Sequence, residues 1–394
     1  MIDKLSAQNS PLRIALLGYR SSPFSGGQGI YLRYLSQELL TLGHDVTVIS
    51  GPPYPELIKG VRLVELPSLD LYARDLWSIK MRELVGRLER REWISKATGG
   101  FAEPWAFGER ARDWLLPRLA EFDIIHDNQT LAPGILDLQA TGIPVLTTIH
   151  HPITRDLRTA LEADSRWWSR IFIRRWHSFL SMQAKVSKKL DRIVTVSSVS
   201  ARDIVADFGV LPSILRVIPN GVDTQLFRPH PSIARHPRRL IATASADSPM
   251  KGLPTLLSAI KLLSNEFPDI ELVLIAKRNR RGETEKLIQR LQLDNRIHFK
   301  GGATHEEIVK LYAQSTVAIV PSLYEGFGLP ALEAMAAGIP LISSDGGALR
   351  EVVGDGGLLV PAGDERALAS AISDVLTFPE VAKSLSKRGL KRVE

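Results

Sequence analysis

Short runs rich in β-branched residues alternate with longer amphipathic stretches along the whole chain. In the first half the strand patterns are LRIALLG (12–18), DVTVIS (45–50), FDIIH (122–126), PVLTTIH (144–150) and RIVTVS (192–197). Helical periodicity follows most of them, as over 28–42 and 131–141. The second half repeats this grammar. Its strand patterns are RLIATAS (239–245), IELVLIA (270–276), RIHFKG (296–301), TVAIVPS (316–322) and PLISS (340–344). Helices are expected near 253–266, 283–292, 304–314, 330–337 and 364–377. Near-continuous apolar strands alternating with helices predict parallel sheet covered on both faces. The fold class is therefore α/β, with two doubly wound units in tandem.

Pro, Gly and Asn interrupt both periodicities in RVIPNGVDTQLFRPHPSIARHPRR (216–239), which marks the joint. The expected domains are 1–222 and 223–394. Ligands of such sheets bind beyond the carboxyl ends of the strands, so two units facing each other imply a cleft. The stretch 70–116, with Trp77, Trp93, Trp105 and Trp114, is less regular and reads as helices and a loop over the first unit. The chain stops at SLSKRGLKRVE, inside a basic amphipathic pattern without a cap, which reads as a truncation.

A length of 394 residues suits two cores rather than one. No run of 18 apolar residues is present, and the N-terminus lacks the apolar segment of a signal peptide. Cysteine is absent, which excludes disulfides, thiolate metal sites and cysteine nucleophiles. The nine His are scattered. The adjacent His150 and His151 point to opposite faces of an extended chain, so no metal site is expected. These features suggest a reduced, cytoplasmic protein. The net charge of +7 is modest, and the segment 155–192 holds ten Lys and Arg against four Asp and Glu. Such a local basic face suits anionic lipid or phosphate better than nucleic acid.

Candidate chemistry clusters where strands give way to helices. In GYRSSPFSGGQGIYLRYL (18–35), Gly26, Gly27 and Gly29 let backbone N–H groups approach an anion, although they serve a plain turn equally well. The spacing is not the dinucleotide G-x-G-x-x-G, and no acidic residue ends the second strand. His150 stands at the carboxyl end of its strand, with a structural or capping histidine as the alternative, and His126 ends FDIIH. Lys251 precedes Gly252 and a helix start in SADSPMKGLPTLL, where its ammonium can reach a diphosphate. YEGFGLPALEAMAAG (324–338) places Glu325 in a turn and Glu333 one helical turn on. Phe327, Gly328 and Leu329 there offer backbone N–H groups, and Pro330 suits a first helical turn. Carboxylates accept pairs of sugar hydroxyls, while the plainer alternative is that both Glu complement the helix dipole.

Together these residues resemble the retaining GT-B glycosyltransferases of the family-4 type, and the resemblance covers nearly the whole chain. It is carried by the Gly-rich first loop, TTIH, VTVSSVSARDIV, VIPNGVDTQLFRP, the Lys-Gly helix start and EGFGLPALEAMAAGIPLISSDGGALREVV. The resemblance implies two Rossmann-like domains, an acceptor side first and a nucleotide-sugar side second. It assigns Glu325 to the donor sugar, Glu333 to the ribose hydroxyls, and Phe327, Gly328 and Leu329 to the sugar and diphosphate. Lys251 and Gly27, with Gly26 beside it, would meet the phosphates, His150 the transferred sugar, and Asn220 the hinge-side motif.

Two departures stand out. The family's second cation, five positions before the lysine, is Ala246 here, so Arg278 or Lys277 would have to assist Lys251. The terminal helix that crosses back to the first domain is also missing. The implied reaction is transfer of a sugar from a nucleoside diphosphate to a hydroxyl of a lipid, glycan or small molecule, without cofactor or metal. The alternatives are a nucleotide-sugar binder without turnover, which Ala246 would suit, and an epimerase of related architecture. The segment RWWSRIFIRRWHSFL (166–180) interleaves Trp, Ile and Phe with Arg, as in helices at an anionic membrane surface. Its alternative is a helix of the first domain that buries its aromatics.

Overall fold

The computed structural model describes residues 10–22, 27–244 and 248–394. Gly26 and Ala246 lie outside them. The chain divides into two compact units. The first runs through Thr195 and resumes at Ala201–Val217, and the second comprises Val196–Ser200 and Ile218–Glu394.

The first unit is built on a seven-stranded sheet: β1 (Arg13–Gly18), β2 (Asp45–Ser50), β3 (Arg62–Glu65), β4 (Ile124–Asn128), β5 (Val145–Ile149), β6 (Ile193–Thr195) and β7 (Leu215–Val217). Its order is β3-β2-β1-β4-β5-β6-β7, and every pairing is parallel. The apolar runs follow from cover on both faces. Along β1, Ala15 and Leu17 enter one core cluster with Ile125 and Ile149, while Leu16 enters another with Leu32 and Val48.

The second unit repeats the principle with β8 (Arg239–Thr243), β9 (Glu271–Ile275), β10 (Ile297–Phe299), β11 (Val317–Val320), β12 (Leu341–Ser344) and β13 (Leu358–Val360). The order β10-β9-β8-β11-β12-β13 is again all parallel. Leu240 and Ala242 of β8 face one core, Ile241 the other. In both sheets the order reverses beside the first strand, β1 or β8, and ligands of open α/β sheets gather at such switch points.

Three elements differ from the sequence expectation. β4 starts and ends two residues later than FDIIH, so His126 lies inside a strand and is buried rather than standing at its end. The helix Trp167–Trp176 buries none of its residues. Trp167 is 74% and Phe172 60% exposed, because its solvent face carries Trp167, Trp168, Ile171 and Phe172. Of the aromatics of this helix, Trp176 packs on neighbouring rings, stacked on Phe101 at 5.1 Å and edge-on to Phe179. Finally, the basic C-terminal stretch forms the helix Pro379–Val393, which bonds to the second unit: Ser386 Oγ donates to Gly338 O, and Arg392 to Glu351 O and Val352 O. Among the described residues no helix is long and apolar enough to cross a membrane.

Candidate active site

In the second unit, chemistry gathers beyond the carboxyl ends of β8 and β11. A 3-10 turn, Pro249–Lys251, carries Lys251 to Gly252 (φ +63°), from which the helix Leu253–Leu263 starts. A Cβ on Gly252 would lie 1.9 Å from Pro321 O, so only glycine lets this loop press against the end of β11. Leu323 N donates to Met250 O at 2.8 Å and fixes the register of the two loops. A third strand end closes in from β12. There Gly347 (φ +63°) would place a Cβ 2.3 Å from Glu325 O, and Ala348 N donates to that same oxygen at 2.8 Å. Three loops are thereby clamped around one carboxylate.

That carboxylate is Glu325. Its Oε1 accepts from Lys251 Nζ at 2.7 Å and from Ser322 Oγ at 2.8 Å. The side chains are 13% and 30% exposed for Glu325 and Lys251, so the pair stands at a mouth rather than on open surface. Gly328, in a left-handed conformation (φ +108°), starts the helix Leu329–Ala336, and Pro330 occupies its first turn. The preceding carbonyl, Gly326 O, is held by Ser197 Oγ at 2.7 Å and Ser200 Oγ at 3.1 Å. This is what the SSVS of the first-half motif does: it belongs to the second unit and steadies the turn that bears Glu325.

Glu333 lies one turn into that helix. The buried Tyr312 hydroxyl donates to Glu333 Oε2 at 3.5 Å and to Pro330 O at 3.4 Å, and Phe227 meets the Tyr312 ring edge-on. Burial pushes the Glu333 carboxyl up to about 7. Glu325 and Glu333 thus occupy different environments, one beside a cation, the other beside a phenol in apolar surroundings. Arg278 is forked onto Glu285 at 2.6 and 3.0 Å. Asn220 follows β7 in a loop and makes no hydrogen bond among the described residues.

The first unit presents a second polar cluster at the ends of β4 and β5. His150 directly follows β5. Its Nε2 is 2.8 Å from Asn128 Oδ1, and its backbone N donates to Gln129 Oε1 at 2.7 Å. Asn128 Nδ2 donates to Gln28 O at 3.2 Å, which leaves Oδ1 as the acceptor and makes His150 Nε2 the protonated nitrogen. Nδ1 then carries the lone pair. Burial holds the imidazole down at about 3, so it is neutral, and the Tyr31 ring packs against it at 4.6 Å. The loop is shaped by buried Asp127, which accepts from Thr130 N and Leu131 N. His126 is turned inward to Thr148 Oγ1 at 2.8 Å. Gly27 opens the helix Gly27–Thr41 with no atom of the described residues within 4 Å of where a Cβ would stand, whereas Gly29 packs on Ser22 O.

Sequence reasoning had placed Lys251, Glu325 and Glu333 at strand-to-helix mouths, and the structure sets them there. It had missed Ser322, Tyr312 and Asn128, the side chains bonded to Glu325, Glu333 and His150.

Two all-parallel α/β units with polar strand ends have the architecture of the GT-B class. Sucrose-phosphate synthase from Thermosynechococcus elongatus has a similar structure, with a TM-score of 0.71 and 25% identity over 97% of this chain and 94% of that one. Anabaena HepE, solved in complex with UDP-glucose, shares the fold with a TM-score of 0.66 at 17% identity, over 96% of this chain and 94% of that one. Residues 25–226 match the model for Glycosyltransferase Family 4 and residues 229–392 that for Glycosyl transferases group 1, and the chain belongs to this family. It is 46% identical, over 97% of its length and 93% of the relative's, to the MMP alpha-(1->4)-mannosyltransferase of Mycolicibacterium hassiacum.

Proposed function

We propose that this glycosyltransferase moves a hexosyl group, mannosyl in the first instance, from a nucleoside diphosphate sugar to an acceptor hydroxyl with retention of configuration. The observation that carries the reading is the lysine–carboxylate pair, Lys251 with Glu325, clamped at a strand-end mouth beside the helix start that bears Glu333. Lys251 and the helix N–H groups stabilise the negative charge that develops on the leaving diphosphate. Phe327, Gly328 and Leu329 supply that backbone. Glu325 accepts hydroxyls of the transferred sugar and Glu333 those of the ribose. Gly27 is assigned to the phosphates, and the neutral His150 accepts a sugar hydroxyl at Nδ1. The anomeric C–O bond breaks toward the diphosphate while the acceptor oxygen attacks from the same face and gives its proton to a phosphate oxygen. No metal is needed for that step. The relative's name supports mannose and an α-(1→4) bond.

The test is nucleoside diphosphate release from a panel of GDP-mannose, UDP-glucose and ADP-glucose, with mannosides as acceptors, followed by NMR of the product anomer. An α product from an α-linked donor is expected, with Glu325→Ala lowering turnover at least a hundredfold and EDTA leaving it unchanged. Binding without release by any donor would favour a binder that has lost turnover.

For the acceptor side, the exposed aromatic face of the helix Trp167–Trp176 favours an anionic membrane surface. The helix carries Arg170, Arg174 and Arg175 and no acidic residue, and among the described residues Arg175 bonds neutral oxygens, on Thr98 and Ser178. Vesicles of anionic phospholipid should sediment the protein at low salt, and replacing Trp167, Ile171 and Phe172 by Ser should abolish this. Equal sedimentation of the triple variant would refute the assignment.

A further inference from the structure

The two charges at the strand-end mouth neutralise each other. Lys251 and Glu325 bond each other at 2.7 Å, and Ser322 Oγ donates to the same Glu325 oxygen. The backbone cannot relax to separate them cheaply. Gly252 lies against Pro321 O, Gly347 against Glu325 O, and Leu323 N is tied to Met250 O. This is a built contact at a partly enclosed mouth, unlike a surface ion pair whose side chains drift apart in solvent.

Resting on the proposed donor site, we propose that the Lys251–Glu325 pair is a lock that a complete nucleotide sugar opens and a nucleoside diphosphate does not, so that the enzyme discriminates its donor from its own product. Opening the pair removes the counter-charge of both groups, and a half-buried charge left without a partner costs more than the pair itself contributes. The donor replaces both partners at once. Its diphosphate takes the ammonium, and the hydroxyls of its sugar take the carboxylate. The nucleoside diphosphate replaces only the first. It must strand Glu325 with the single hydrogen bond from Ser322, or leave the pair closed and forgo the lysine.

The same balance acts after transfer. The anomeric carbon has left the β-phosphate oxygen for the acceptor oxygen, and the acceptor proton has gone to a phosphate oxygen. As the product sugar withdraws, Glu325 loses its hydroxyl donors and recaptures Lys251, which weakens the hold on the remaining diphosphate. The pair thereby serves product release as well as donor selection.

The test is calorimetric titration of the full chain with GDP and GDP-mannose, UDP and UDP-glucose, and ADP and ADP-glucose, without acceptor, for the parent and for Glu325→Gln. The parent should bind one nucleotide sugar at least tenfold more tightly than its diphosphate. In Glu325→Gln the diphosphate should tighten by about tenfold or more, while the nucleotide sugar does not, so the ratio falls toward one. Glu325→Ala should move the diphosphate in the same direction, and adding Lys251→Met should cancel the gain. Unchanged or weaker diphosphate binding in both Glu325 variants, with circular dichroism matching the parent, overturns the lock. Failure of all six compounds to bind the parent overturns the donor site itself, and is told apart from the first outcome by the parent's silence.

Discussion

Two titratable groups, one in each unit, are set far apart in charge behaviour by their surroundings. His150 is held at about 3 by burial and stays neutral throughout the physiological range, whereas burial lifts Glu333 to about 7, inside it. If the ribose hydroxyls bond the Glu333 carboxylate, nucleoside diphosphate affinity should fall roughly tenfold from pH 8 to pH 6, as the ionised fraction falls. Glu333→Gln should flatten that dependence, and titration calorimetry at the two pH values reads it. Stability should move the opposite way. A carboxyl whose pKa is higher folded than unfolded keeps its proton longer in the native state, so its contribution declines as pH rises from the unfolded value toward 7. Glu333→Gln should therefore raise the melting temperature of the ligand-free protein at pH 8 by a few degrees and leave it unchanged at pH 4.5. For His150, imidazole nitrogen NMR should show a neutral ring protonated at Nε2 from pH 5 to 8, and Asn128→Leu should release that preference. At this scale the sequence revealed the charged groups at the strand ends but not the side chains that hold them. Glu325 and Lys251 are legible because a strand end followed by a helix start places them. Tyr312 and Asn128 act on residues 21 and 22 positions away, which no local pattern encodes. Ser322, three residues before Glu325, stood close enough to be found.

Elements were legible in proportion to how fully they are buried. Interior strands such as β1, β8 and β11 bury both faces and read as unbroken apolar runs. The strands that escaped notice, β3, β7 and β13, are all sheet edges, half solvated and three or four residues long. The helix Trp167–Trp176 misleads in the other direction, since its amphipathicity is genuine but Trp167, Trp168, Ile171 and Phe172 face out while Trp176 packs on Phe101 and Phe179. Glycines at helix starts separate in the same way, by what surrounds them. Gly252→Ala forces a left-handed residue and a Cβ onto Pro321 O, so it should cost at least about 2 kcal/mol in urea unfolding and lose donor binding with it. Gly27→Ala meets no atom of the described residues within 4 Å, so stability should stay within about 0.5 kcal/mol of the parent. If Gly27 matters because a phosphate approaches its backbone, donor KM should nevertheless rise in this variant. An unchanged KM would leave Gly27 no part in phosphate binding.

At the scale of the whole molecule, the two sheets are separate folding problems. Each has its own pair of core clusters, one on either face of its sheet. The boundary is not a single cut, because Val196–Ser200 leaves the first unit to pack on the second and then returns. This exchange was hidden in the sequence, where RIVTVS reads as one continuous strand, yet β6 ends at Thr195 and Val196 enters the core of the second unit. Two cores of this kind predict two unfolding transitions in scanning calorimetry. Lys251, Glu325 and Glu333 all belong to the second unit, so a nucleoside diphosphate should stabilise that unit most, with the first unit gaining only what Gly27 adds. At a hundred times its dissociation constant the gain is about 2.7 kcal/mol, or roughly 5–10 °C for a unit of this size. One transition should rise by about that amount and the other by less, and Glu333→Ala should shrink the larger rise at the same ligand concentration. The Ser197→Ala, Ser200→Ala double variant removes both hydroxyls from Gly326 O, the carbonyl next to Glu325. It should lower the nucleotide-sensitive transition selectively, because those serines, though they precede the end of the first sheet in sequence, are part of the second unit.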